Sequence, residues 1–205
     1  MSLLVHTRLR VAIGLTAVLA VMGLLAAPGV ALASCPPQPL TNPFAQWDDT
    51  NNYFPVPGGT FEGTAGEVGW SLWGASLTSD NESYFVNSPT DGQSLTIAGG
   101  GKATSPFFCV DNTMQSLRFF AHQANPGGDL RVRAIVQSVT GVTNVPVADL
   151  ADGSMPAWAP TASIPGDTSG LADGQTIMVA LKFSVPASAG SWQIDDIYVD
   201  PYRSG

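Results

Sequence analysis

At 205 residues, a net charge of −8, only two cysteines and two histidines, the chain is acidic and poor in the side chains that hold catalytic zinc or run Ser-His-Asp chemistry. Its long-range field has the wrong sign for nucleic acid or for an anionic membrane surface. The length suits one domain with a sizeable core.

The first residues have the three parts of a secretory signal. Met1 to Arg10 carry His6, Arg8 and Arg10 and no acid, Val11 to Ala27 is apolar, and Pro28-Gly29 breaks the run. Ala31-Leu32-Ala33 then supplies the small-x-small pattern of a cleavage site. An apolar run of about 18 residues can also stay as an anchor, but the helix breaker and the motif behind it favour removal after Ala33. The expected organisation is a signal over 1–33, an extended and pinned segment over 34–57 and a domain over 58–205, secreted and not inserted in a membrane once cleaved. With Arg8 and Arg10 gone, six of the eight cations face 16 acids, a balance of −10.

Cys35 and Cys109 both follow the signal. In an oxidising compartment an even count reads first as a disulfide. The same Leu32-Ala33-Ser34-Cys35 also resembles a lipobox, in which Cys35 would carry lipid and hold the protein at a membrane. Both readings stand at this point.

From Cys35 to Pro57 the chain is rich in Pro, Asn and Asp, with Phe44, Trp47, Tyr53 and Phe54 interspersed, so it packs rather than links. No long window has the spacing of an amphipathic helix. Sixteen prolines and 22 glycines punctuate short strand candidates. Gly69 to Thr78 is one region, bent at Gly74. Ser94 to Ala98 and Ala103 to Val110 flank an expected turn at Gly99-Gly100-Gly101. Ser116 to His122, Leu130 to Gln137, Thr143 to Val147, Thr176 to Val185 and Trp192 to Val199 follow. Eight or so strands, each with one apolar face, bury that face only by packing in two layers, which predicts an all-β, antiparallel two-sheet β-sandwich. In the last strand Trp192 and Ile194 share one parity and Ile197 and Val199 the other. A bulge at Asp195-Asp196 is needed to keep all four inward.

Pro57-Gly58-Gly59-Thr60-Phe61-Glu62, Gly69-Trp70 and the closing Trp192-Gln193-Ile194-Asp195-Asp196-Ile197-Tyr198-Val199 resemble the two ends of galactose-binding-like jelly rolls, among them carbohydrate-binding modules of bacterial polysaccharide-degrading enzymes. The resemblance covers both ends of the domain and little of its middle. It implies a structural Ca²⁺ held by Glu62, by Asp195 or Asp196, and by backbone carbonyls. Such a hard-oxygen set suits calcium. The competing reading has Glu62 accepting backbone N–H groups and the Asp pair at a solvated bulge.

No catalytic constellation is recognisable: His122 is the one histidine beyond the signal, no G-x-S-x-G context occurs, and Gly99-Gly100-Gly101-Lys102 has no helix behind it. Enzymatic activity is therefore not expected. For binding, Arg118, Arg131, Arg133 and Lys182 fall opposite the apolar parity of three strands, with Phe120, His122, Ile135, Gln137 and Met178. Were those strands neighbours, they would form a cationic, partly aromatic face for a polysaccharide or a cell-envelope glycan. The competing reading pairs these cations with nearby Asp. Trp73, three residues from Trp70 and so facing the opposite way, and Trp158, in a Pro-stiffened loop, are the candidate sugar-stacking rings. The alternative function is a structural or partner-binding surface protein with no small ligand.

Overall fold

The computed structural model describes residues 35–138 and 141–201. The export segment expected over 1–33 lies outside the described residues. Among the described residues eleven strands run in order: β1 Phe54–Pro55, β2 Ser71–Thr78, β3 Ser94–Thr104, β4 Phe108–Asp111, β5 Met114–Asn125, β6 Leu130–Ser138, β7 Gly141–Leu150, β8 Ala159–Pro160, β9 Ile164–Pro165, β10 Thr176–Ser184 and β11 Ser191–Pro201. The helical pieces are a 3-10 turn, Ala45–Trp47, and a single α-helical turn, Ala65–Val68. That turn is closed by a reciprocal capping box between Thr64 and Glu67.

Every pairing is antiparallel, and the sheet curls into two layers because β2 and β3 belong to both. The first half of β3, Leu95 to Ala98, pairs with β11, and its last residues, Lys102 to Thr104, pair with β10. One layer therefore runs β2-β3-β11-β5, with β8 and β9 beyond β5 and β1 beside β11. The other runs β2-β3-β10-β6-β7, with β4 taking over from β3 alongside β10. This is the expected sandwich.

The crossing corrects one expectation. Gly99-Gly100-Gly101 is not a turn between strands but the middle of β3, where the strand changes layer. Side chains are excluded there: a Cβ on Gly101 would lie 2.3 Å from the carbonyl oxygen of Gly74, and one on Gly99 would lie 2.8 Å from the backbone of Ser188 and Ala189. Opposite it, β2 bends at Gly74 (φ +58°) as a bulge within one strand.

Between the layers, Leu95, Ile97, Leu117, Phe119, Trp192, Ile194, Ile197 and Val199 meet Phe108, Val110, Leu130, Val132, Val179, Leu181 and Phe183. Phe183 takes Phe119 edge-on at 5.1 Å and touches Trp70 at 5.9 Å. The bulge in β11 makes this face continuous: Asp195 opposes Phe120 and Tyr198 opposes Arg118, so two residues face the single Phe119 between them. Asp196 takes φ +47°, and the apolar parity switches as the sequence requires.

A second, smaller cluster lies on the outer side of the β11–β5 layer, where Phe44 and Tyr53 cover Phe120 and Tyr198. The segment carrying them is tied down by the Thr41–Tyr53 bridge, by β1 against β11 and by a Cys35–Cys109 disulfide. That bond uses both sulfurs. A lipid thioether on Cys35 would need the sulfur that this bond uses.

Candidate functional site

The outer side of the second layer carries a row of directly opposed residues across five strands: Trp73 on β2, Lys102 on β3, Ser184 on β10, Arg131 on β6 and Asp149 on β7. Two residues along, Ser71, Thr104, Lys182 and Arg133 form the next row on the same face. At about 4.8 Å per strand the first row spans roughly 19 Å. Trp73 is 70% exposed at one end. Arg133 donates to Asp149 Oδ1 at 2.8 Å and to the carbonyls of Val132 and Ala148. Arg131, Lys182 and Lys102 form no ion pair among the described residues. A cation cluster beside an exposed indole thus lies on the surface of a chain whose net charge is −8.

This face is not the one expected from parity alone. Arg131, Arg133 and Lys182 do share it, but β5 is in the other layer, so Arg118, Phe120 and His122 are elsewhere. Arg118 is buried: its Nη1 donates to Asp49 Oδ2 at 2.6 Å, its Nε donates to the Thr161 carbonyl at 2.9 Å, and its guanidinium lies 4.3 Å from the Phe44 ring centre. Phe120 is fully buried under Phe44 and Trp47. His122 is half-buried, its Nδ1 3.2 Å from Gln193 Oε1, with the Trp158 ring 5.7 Å away. Trp158 packs against the outer aromatic cluster, its Nε1 buried without a partner. Of the two candidate rings, Trp73 is the solvent-facing one. Contact ion pairs with Asp therefore describe Arg118 and Arg133; Arg131 lies opposite Asp149 and acts on it without a contact pair, and Lys182 has none among the described residues.

Sequence reasoning missed Lys102, because the glycines before it were read as a turn. The available signal was its parity with Thr104.

The other expected site lies at the β11 bulge. Glu62 Oε1 accepts the backbone N–H groups of Gly92 and Gln93, both at 2.9 Å. Asp195 and Asp196 are each 1% exposed, so the bulge is not solvated. The loop between β2 and β3 folds over it and adds two acids the sequence reading did not single out. Glu82, fully buried, accepts from the N–H groups of Tyr84 and Val86, and Asp91 accepts from Ser88. Burial first, then repulsion by Asp196, holds the Asp195 carboxyl well above the ordinary carboxylate range. Burial first, then Asp91, Glu82 and Glu62, does the same to Asp196. Burial also raises Glu82 and Asp91. No Lys or Arg is among the main influences on any of the four.

Among the described residues no three His, Cys, Asp or Glu side chains are drawn in around one cation-sized position. Both Asp196 oxygens, Asp195 Oδ2 and the side-chain amide of Asn81 are nevertheless buried without a hydrogen bond of full geometry; the backbone N–H groups of Asn87 and Glu82 favour the charged forms of Asp196 and Asp195 but close no such bond. The orphaned oxygens weigh more, because calcium completes its shell with carbonyls and water and does not need three carboxylates. The donor set fits calcium.

No protein-family model matches the chain, and no curated protein matches it. Among solved structures it is similar to the CBM22-1 xylan-binding domain of Xyn10C from Paenibacillus barcinonensis: 13% identity, 73% of this chain, 94% of that chain, TM-score 0.49. The family 11 carbohydrate-binding module of the cellulase Lic26A-Cel5E of Clostridium thermocellum gives 15% identity, 72% and 94% coverage and a TM-score of 0.43. The K2 cleaved adhesin domain of Lys-gingipain gives 11% identity, 72% and 98% coverage and 0.45. None of these likenesses reaches a TM-score of 0.5, and the functional reading rests on the chain's own residues. Among the described residues no helix is long and apolar enough to cross a membrane.

Proposed function

We infer that the protein is an exported, non-catalytic module that binds a polysaccharide or cell-envelope glycan on the Trp73–Arg131 face, with preference for acidic glycans. The observation that carries this is the row placing an exposed Trp73 in register with Lys102 and Arg131, with Lys182 behind them. A planar indole stacks on the apolar face of a sugar ring, and guanidinium and ammonium groups select carboxylate or phosphate substituents. Affinity electrophoresis in polygalacturonate, set beside neutral xylan and β-glucan, tests this. The acidic polymer is expected to retard the protein, and Trp73→Ala to weaken binding about tenfold or more, roughly 1.4 kcal/mol, as loss of one anchoring aromatic does. Arg131→Gln with Lys182→Gln is expected to abolish the preference for the acidic polymer and flatten the salt dependence. Mobility unchanged in every polysaccharide would sink the reading and leave a structural or partner-binding surface protein.

The buried carboxylates support a second proposal, a structural Ca²⁺ held by Asp196 with Asp195, Glu62, Glu82 or Asp91 and nearby carbonyls. Bound calcium would neutralise carboxylates that form no ion pair among the described residues, and fasten the β2–β3 loop to β11. Calcium at a hundredfold excess over its Kd adds about 2.7 kcal/mol, a rise of several degrees in the melting temperature of chelated protein. Asp196→Asn is expected to abolish that rise. In chelator, the variant should melt no lower than the wild type, because it replaces an uncompensated buried acid. An unchanged melting curve on adding calcium removes the metal from the account.

A further inference from the structure

The sandwich is not filled at the end where β6 and β7 approach β9. A cleft of about 200 Å³ opens there between the layers. Phe108, Met114, Ala134, Val136, Val147 and Ile177 are among its walls, and its polar lining is confined to Ser116, Asp167 and Thr168. An apolar cavity of about 150 Å³ already stays dry and takes up a small hydrocarbon. This one is larger and is open to solvent at its mouth. It is distinct from the Trp73 face, since its walls belong to the inner side of the layers.

What lies at the mouth says what kind of molecule fits. The cleft shares Pro165, Gly166, Asp167 and Thr168 with a second depression of about 410 Å³, whose remaining walls are Asn112, Gln115, Ser169 and Leu171. This vestibule offers amide and hydroxyl groups. Its single charge is Asp167, which accepts from Ser169, and no Lys or Arg lines either chamber. A carboxylate or phosphate head would meet like charge and no cation. A plain hydrocarbon would leave the Gln115 amide and the Asn112 side-chain oxygen unused, Asn112 Nδ2 already donating to Asp173 at 2.7 Å. A hydroxylated, uncharged head joined to an alkyl chain satisfies both chambers, the chain burying apolar area and the hydroxyls pairing with Asn112, Gln115 and Thr168.

We propose that this two-chambered cleft binds a neutral, glycolipid-like amphiphile, alkyl chain between the layers and sugar head in the vestibule. The probe is n-octyl β-D-glucoside below its micelle concentration, set against octanoate and octyltrimethylammonium. Binding is read by displacement of a fluorescent naphthylamine and by methyl NMR shifts. Octyl glucoside is expected to displace the dye saturably, to shift the methyls of Val136, Val147 and Ile177, and to bind at least fivefold tighter than octanoate. Ala134→Phe narrows the cleft and should weaken binding tenfold or more. Val147→Phe, on the edge strand β7, fills it from the other side should the first variant unfold. Equal affinity for octanoate or for the ammonium compound would overturn the neutral head. Unsaturable binding, or shifts mapping to the Trp73 face alone, would overturn the site.

Discussion

Replacing Arg118 by alanine is expected to cost about 3 kcal/mol of folding stability, the lower end of the penalty for breaking a buried ion pair from one side, because Asp49 keeps partial access to water. The geometry still makes this a large cost for a charged residue. Arg118 is the one cation among the described residues that is withdrawn from solvent. It joins three elements at once: β5, which carries it, the N-terminal segment through Asp49, and the 161 loop through the Thr161 carbonyl. Its loss leaves Asp49 facing buried aromatics with only the Tyr53 hydroxyl, at 2.7 Å, and the Asn51 N–H for partners. Chemical unfolding of the variant checks the figure. A cost within 1 kcal/mol would show that the pair breaks even against its own desolvation.

The same pair gives a pH signature. Burial would raise the Asp49 carboxyl, but hydrogen bonds from Tyr53, Arg118 and Asn51 outweigh it and hold it below the ordinary range. A carboxylate lowered on folding adds stability above its unfolded value, about 3.9, and that stability fades as pH falls through the lower folded value. The difference in melting temperature between the wild type and Asp49→Asn should therefore be full at neutral pH and shrink below about pH 4. Taking the difference cancels the contribution of the bulge carboxylates, whose raised positions act in the opposite sense.

Removing the disulfide by Cys35→Ala with Cys109→Ala is expected to cost about 4 kcal/mol in the chain-entropy account, since the bridge closes a separation of 74 residues. Cys35 is buried, at the beginning of the segment that covers the outer aromatic cluster, and Cys109 is on β4 beside β10. The bond thus ties the N-terminal segment to the opposite layer from the one it covers. Unfolding midpoints of oxidised, reduced and double-alanine protein check this, with the last two expected to agree. A loss under 1 kcal/mol would mean that β1 and the Phe44–Tyr53 packing already hold the segment.

The sequence showed the strands with alternating apolar residues well, because one buried face leaves a period-two record; β6, β10 and β11 follow their expected spans within about two residues. It showed the bulge for the same reason, as a slip in that record. What it could not show was which strands are neighbours. The parity of Arg118 and Arg131 is real in both cases, yet one side chain is buried beneath Phe44 and the other lies open to solvent, because β5 and β6 part into different layers. Lys102 and Trp73 joined the face only through the crossing at Gly99 to Gly101, whose composition reads locally as a turn. Glu82 and Asp91 were invisible as site residues, since nothing near them in sequence marks the loop as the cover of β11.

The order of strands across the sheet has a consequence for the way the chain must assemble. The strands that receive most of the others, β10 and β11, are the last two in sequence. Until residues 176–201 exist, β5 lacks β11, β6 lacks β10 and β3 has only β2. Neither layer can be completed before those two strands are available, and most contacts are long-range, so folding waits on residues 176–201. A polypeptide wired in this way stays pliable while it is being made, and gains its shape in one late step when residues 176–201 arrive.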